Sequence, residues 1–297
     1  SGLSGRYHCQ GCLWCLRNFL IRESYESLIA LKPDYIVSSG SSLAAINYIL
    51  ARENSGKSIV NMRPSILSTN RFDLVIMPRH DRPPKRKNIV ITAGALNIIS
   101  QDYLKEEVKN FSSAFNLAPQ FSGNYIGVLI GGDAKNFPLE KKSVLEVINQ
   151  VKSASDRLKA DILVTTSRRT PQEVESLVKE EFKNYPRCKA LIIANEKNIP
   201  SAIGGILGLS RLVVVSPDSI SMISEAVASE RYVLVFKSGG IDKRHKRFLH
   251  YFVKNKYIKL DEPGDVGSAI EEIWQGCAQI NSLKDNSLIR KAIERLI

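Results

Sequence analysis

Short β-branched runs alternate with amphipathic stretches along nearly the whole chain, and this alternation limits the possible folds more than any other feature. Residues 34–38 (DYIVS), 58–61, 73–77 and 88–92 are almost continuously apolar. A strand without polar alternation is buried on both faces, as in a parallel sheet covered by helices. Leu43, Ile46, Ile49 and Leu50 recur at helical spacing, which predicts a helix over 42–53, and a second helix is predicted over 101–115. Residues 116–124 (NLAPQFSGN) then collect Pro, Gly, Asn and Ser, the composition of a boundary.

Beyond that segment the pattern restarts. Strands are predicted at 125–130, 161–165, 189–194, 212–216 and 232–236. Helices are predicted near 139–158, from Pro171, and near 199–207, 219–229, 246–254, 266–276 and 287–296. Two strand-helix series imply an α/β protein of two units with mostly parallel sheets, 1–118 and 119–297. The length of 297 residues agrees, since single cores rarely exceed about 250–300 residues.

With 43% hydrophobic residues the chain is globular rather than disordered. Its 42 Lys+Arg against 30 Asp+Glu give a formal charge of +12, which favours polyanionic company such as phosphorylated ligands, anionic lipid or nucleic acid. No helix-turn-helix, RNP or zinc-finger motif is present, so nucleic acid is not the expected partner. No apolar run reaches the length of a spanning helix and the N-terminus lacks a signal-peptide layout, which places the expected location in the cytoplasm, peripheral to the inner membrane where the charge meets it. Five cysteines do not make a disulfide framework. Cys9, Cys12 and Cys15 form C-x-x-C-x-x-C, one ligand short of a four-ligand zinc or iron–sulfur site unless His8 joins. An amphipathic helix explains the same spacing and is the preferred reading.

Ligands of parallel sheets collect beyond the carboxyl ends of strands, so the loops after strands carry the chemistry. Gly131-Gly132-Asp133 lies between a strand and a helix, where glycines let backbone approach a phosphate, although a tight turn of positive φ accounts for the pair equally well. Ser167-Arg168-Arg169-Thr170-Pro171 puts hydroxyls and guanidinium forks at another strand end, with capping by Thr170 and solvated arginines as the alternative. Ser219 and Ser221 stand at the start of a helix that carries Glu225 one turn on, an arrangement suited to a diphosphate at the helix end and a ribose on the carboxylate. The competing capping box fits the spacing poorly. In the first half His80 stands beside Asp81 after a strand, a pair able to serve as a general base, although an isolated histidine is more often structural.

Together the segments KPDYIVSSGSS, FDLVIMPRHD, NIVITAGALNII, GVLIGGDAKNF, VTTSRRTP and SPDSISMISEA resemble the family of the plant mitochondrial-fission protein "elongated mitochondria", whose bacterial relatives are regarded as glycosyltransferases. That family is similar to the GT-B class, and the resemblance implies two Rossmann-like domains, the last helix packing back on the first, with a nucleoside-diphosphate-sugar donor on the C-terminal domain and an acceptor on the N-terminal one. Carried over, it puts Gly131, Gly132, Ser167 and Arg168 near the donor phosphates, Ser219 and Ser221 at the phosphate-facing helix end, and Glu225 on the ribose. His80 and Asp81 become the candidates for deprotonating an acceptor hydroxyl. No metal and no cofactor is expected, the nucleotide sugar being a substrate.

The family opens with a strand and a Gly-basic-x-Gly-His-like loop, which Gly5-Arg6-Tyr7-His8 matches poorly, so the first domain is expected to lack its first strand. The chain also opens on Ser1, as expected of a fragment or processed chain. The leading expectation is therefore an enzyme that transfers sugar to a lipid or polysaccharide of the cell envelope. The alternatives are a non-catalytic scaffold recruiting partners at a membrane, and a nucleotide-sugar epimerase. Two basic runs, 79–87 with five Lys/Arg and 243–247 with four, are the candidate contacts with an anionic surface, or else solvated loops.

Overall fold

The computed structural model describes residues 16–18, 20–65, 67–120, 123–132, 139–276 and 280–296. The expectations attached to Cys9, Cys12, Cys15 and the opening segment lie outside these residues. The chain divides into two compact units, 1–93 with 284–297, and 94–283.

In the first unit, helix α1 (Arg22–Ala30) is followed by β1 (Tyr35–Ser39), α2 (Ala44–Glu53), β2 (Lys57–Asn61), β3 (Leu74–Pro78) and β4 (Ile89–Thr92). The four strands pair in parallel in the order β1-β2-β3-β4. One face packs Val60, Val75 and Met77 against Ala44 of α2. The other packs Ile59, Leu74 and Ile76 against Ile289 of α10 (Asp285–Glu294), the last helix of the chain. The strands β2 and β3 are therefore covered on both faces by elements from opposite ends of the sequence, which is why they read as continuous apolar runs, whereas the edge strand β1, expected to be buried, leaves Tyr35 and Val37 exposed. Asn47 of α2, 1% exposed, ties the first two strands together by donating to the carbonyls of Ile36 and Ile59 at 2.9 and 3.0 Å.

The second unit begins with α3 (Gln101–Phe115), so the boundary-like segment 116–124 falls inside this unit. Ser100 caps α3 by accepting the Tyr103 N–H. The chain continues through β5 (Tyr125–Ile130), α4 (Lys141–Leu158), β6 (Asp161–Thr166), α5 (Gln172–Phe182), β7 (Cys188–Ile192) and α6 (Ala202–Leu209). It then runs through β8 (Ser210–Val215), α7 (Ile220–Ala228), β9 (Tyr232–Phe236), α8 (Lys243–Lys254), β10 (Lys259–Asp261) and α9 (Val266–Trp274). All six strands pair in parallel in the order β10-β9-β8-β5-β6-β7. Val144, Ile148 and Val151 of α4 and Ile270 of α9 cover one face, fully buried with Ile126, Val128 and Val164. Helix α3 lies on α6, where Gly205 has no side chain to obstruct Phe111; a Cβ there would stand 2.3 Å from the Phe111 ring.

Candidate functional site

Read from its other edge, the second sheet runs β7-β6-β5-β8-β9-β10. The chain winds outward from β5 to β7, returns to the middle as β8, and winds the other way. This is the doubly wound order, and its reversal between β5 and β8 opens a crevice at their carboxyl ends. Into that crevice the chain delivers three of the predicted loops, those after β5, β6 and β8.

A buried carboxylate joins them. Asp218, 2% exposed, accepts the Gly132 N–H at 2.8 Å and the Ser216 hydroxyl at 2.6 Å, while Ser216 Oγ accepts the Gly131 N–H at 2.7 Å. Burial pushes the Asp218 carboxyl above its ordinary value, against the pull of these donors and of the Arg169 charge. Both glycine amides are thus committed inside the protein rather than offered to a phosphate. Neither glycine has a positive φ. What demands glycine is close approach: a Cβ would stand 2.2 Å from Asp218 Oδ2 at position 131 and 2.0 Å from the Arg169 carbonyl oxygen at position 132.

The loop after β6 is held by Thr170 rather than by a helix cap. Thr170 Oγ1 donates to the Gly131 carbonyl and accepts the Ser167 N–H at 2.9 Å. Ser167 Oγ in turn accepts the Arg169 N–H at 3.2 Å. Arg168 and Arg169 are exposed, and Arg169 is the one whose charge reaches Asp218.

The loop after β8 leads into α7 with Ser219 as its N-cap, accepting the Met222 N–H at 3.3 Å. Ser219 is buried, Ser221 is exposed on the first turn, and Glu225 follows one turn on, half-buried. Among the described residues the Glu225 side chain makes no hydrogen bond or ion pair, and burial pushes its carboxyl up. Tyr103 of α3 lies within its field: burial first, then Glu107 and Glu225, raise the Tyr103 hydroxyl.

Sequence reasoning gave no role to Asp218 or His245 and read Thr170 only as a helix cap. His245 sits on α8 with Nε2 2.9 Å from the Asp218 carbonyl oxygen. A strand-end Ser-Pro-Asp signals the first, but nothing local marks the others, because their partners are distant in sequence.

In the first unit His80 lies on the 3₁₀ turn Arg79–Asp81 that follows β3. Its ring is buried, 4% exposed, and Nε2 is 3.8 Å from Asp81 Oδ1, beyond hydrogen-bond distance. In the second unit a cavity of about 510 Å³ is lined by Gln172, Glu175, Ser176, Lys179 and Asn195, on α5 and beyond β7 rather than at the β5/β8 crevice. Among its polar groups Glu175 bonds to Thr166 and Asn195, and Lys179 to Glu196. Among the described residues no three His, Cys, Asp or Glu side chains converge as a metal site. None of the described helices is long and apolar enough to cross a membrane.

The family model described as mitochondrial fission ELM1 matches residues 14–285. The chain belongs to the mitochondrial fission ELM1 family. Within reach of that family are an uncharacterized protein, RP120, of Rickettsia prowazekii, 24% identical over 82% of this chain and 79% of its own, and the mitochondrial fission protein ELM1 of Arabidopsis thaliana, 27% identical over 73% of this chain. The chain's match spans 53% of the Arabidopsis protein, about half its length. Among solved structures, a UDP-GlcNAc 2-epimerase from Neisseria meningitidis bound to UDP-GlcNAc superposes with a TM-score of 0.54 at 12% identity, over 95% of this chain and 82% of that one. Phytolacca americana UGT2 in complex with UDP-2-fluoro-glucose and pterostilbene gives 0.47 at 11% identity, over 96% and 74%. The ELM1-family chain thus has an α/β fold of two parallel sheets, similar to that of the Neisseria UDP-GlcNAc 2-epimerase.

Proposed function

We propose that this chain is a glycosyltransferase that takes a sugar from a nucleoside diphosphate and transfers it to a lipid or polysaccharide hydroxyl at an anionic membrane surface. One observation carries the reading: at the β5/β8 crossing, the α7 N-terminus, the exposed Ser221 and the unengaged carboxylate of Glu225 lie along one helix. The α7 N–H groups and Ser221 would receive the diphosphate, with Arg168 and Arg169 supplying positive charge, and Glu225 would accept hydrogen bonds from the ribose. As the bond from the sugar's anomeric carbon to the phosphate oxygen breaks, charge grows on the diphosphate, and fixed N–H dipoles stabilise it without reorganising. Gly131, Gly132, Ser167 and Ser219 hold these groups in place through the bonds described above. His80 and Asp81 are the reading's candidates for taking the acceptor proton.

The membrane part rests on charge. On α8, Lys243, Lys246, His250 and Lys254 are exposed on the side opposite the buried Phe248, Leu249 and Phe252. In the first unit Arg82, Lys85, Arg86 and Lys87 are exposed. Each such charge near an anionic leaflet is worth about 1 kcal/mol.

Calorimetry with UDP-, GDP-, ADP- and CMP-sugars tests the donor. Binding of at least one of them, weakened about tenfold or more by Glu225→Gln or Ser221→Ala, is expected. Failure of every nucleotide sugar to bind overturns the reading, and binding without sugar transfer or hydrolysis favours the scaffold alternative. His80→Ala is expected to lower turnover about 10²–10⁴-fold with donor affinity unchanged. Sedimentation with anionic vesicles, but not neutral ones, is expected to carry the wild type down and to leave the Lys243→Glu/Lys246→Glu variant in solution.

A further inference from the structure

The N-terminus of α8 meets the β8–α7 loop through one side chain that the proposed chemistry leaves unused. Asp242, the N-cap of α8, accepts the His245 N–H at 2.7 Å through Oδ1. The His245 ring, with its side chain 12% exposed, lies between two oxygens: Nδ1 is 3.1 Å from that same Oδ1, and Nε2 is 2.9 Å from the Asp218 backbone carbonyl. A peptide carbonyl only accepts. The Asp242 carboxyl only accepts as well, because burial, which would raise it, is outweighed by the His245 N–H, the His245 ring and the Arg244 N–H, which hold it below the ordinary range.

A neutral imidazole has a single N–H and can serve one of these acceptors while setting its lone pair against the other; the imidazolium serves both. The surroundings otherwise disfavour the extra charge. Lys243, Arg244 and Lys246 stand on the same helix, and the helix N-terminus is the positive end of the dipole. The Asp218 carboxylate is turned away, toward Gly132 and Ser216. Both oxygens are satisfied together only by a ring that carries an N–H at each nitrogen.

We propose that His245 is a positioning residue: with a proton on each ring nitrogen it pins the Asp218 carbonyl to the start of α8, fixing the turn 216–219 from which α7 begins. Its consequence for nucleotide sugars rests on the reading of that turn as the diphosphate site; the protonation and the pin do not.

Two measurements separate these parts. In the full chain labelled with ¹⁵N-histidine, a spectrum at neutral pH, with His245→Gln identifying the signal among four histidines, is expected to show both His245 nitrogens carrying protons. A neutral tautomer overturns the proposal. Independently of any ligand, the Ile223 amide, which donates to the Ser219 carbonyl at 3.0 Å, is expected to exchange about tenfold faster in His245→Ala, the loss of one charge-assisted bond. Unchanged exchange overturns the pin. UDP-GlcNAc affinity should fall about tenfold in His245→Ala and recover in part in His245→Gln, which returns one N–H to the Asp218 carbonyl. Equal affinity in all three forms overturns the positioning role. If the wild type binds no UDP-GlcNAc, the diphosphate reading is what falls for this donor, and the exchange and ring spectra still decide the pin.

Discussion

Replacing Gly132 with alanine tests whether the strand-end glycines serve close packing or a phosphate. The added Cβ would stand 2.0 Å from the Arg169 carbonyl oxygen, 2.1 Å from its carbon and 2.5 Å from the Thr170 nitrogen, all backbone atoms with no rotamer to yield. The loops after β5 and β6 must part. Overpacking of this kind costs about 1–3 kcal/mol. Parting the loops also withdraws the Gly132 N–H from the buried Asp218 carboxylate, a bond worth about 1.5–3 kcal/mol. Taking the lower end of the total, about 2.5 kcal/mol, a unit of this size melts about 5–10 °C lower. The assay is calorimetric unfolding of Gly132→Ala beside Gly239→Ala. In the latter the new methyl meets only Glu140 Oε1 at 3.1 Å, the movable end of a side chain, and the expected shift is about 2 °C or less. A Gly132→Ala melting point equal to that of the Gly239 control refutes the packing argument.

Ser219→Ala removes the α7 cap and should cost about 1 kcal/mol, with Ser219→Asp retaining most of it; denaturant midpoints check this, and equal midpoints for the two variants count against it. Asn47→Ala leaves the carbonyls of Ile36 and Ile59 without their side-chain donor and should cost about 2 kcal/mol, read as faster hydrogen exchange along β1 and β2. Because burial raises the Glu225 carboxyl, the folded chain holds that proton more tightly than the unfolded one, so stability falls as pH rises from the ordinary Glu range through the raised value, and the cost persists at neutrality. Glu225→Gln should therefore reduce the downward slope and raise the melting temperature at neutral pH, whereas a slope identical to wild type contradicts the desolvation account.

Most strands were legible because their burial on both faces writes itself as consecutive apolar residues, and predicted strands at 58–61, 125–130 and 232–236 lie within a residue of β2, β5 and β9. Helix α1 left no such trace, since none of its residues is buried and no apolar stripe was needed. The start of α8 was hidden for a different reason: residues 243–247 are all cationic or histidine, so apolar periodicity begins only at Phe248, although Asp242 marks the true start as an N-cap. At the site, glycines and serines announced the loops but not their roles. Gly131 and Gly132 are fixed by Asp218 and by backbone from a loop some 40 residues away, a demand set by three-dimensional approach and absent from any local pattern.

The last helix has a consequence for how the molecule is made. Ile59, Leu74 and Ile76 wait for Ile289 to cover them, and the Ala93 N–H waits for Asp285, although more than 190 positions separate that last pair in the sequence. A chain emerging from the ribosome therefore has every residue of the later unit in hand before the earlier one can close. Of these two sheets the earlier in the sequence is the later to be finished, and until residues 285–294 arrive the face of Ile59, Leu74 and Ile76 lacks the helix that covers it.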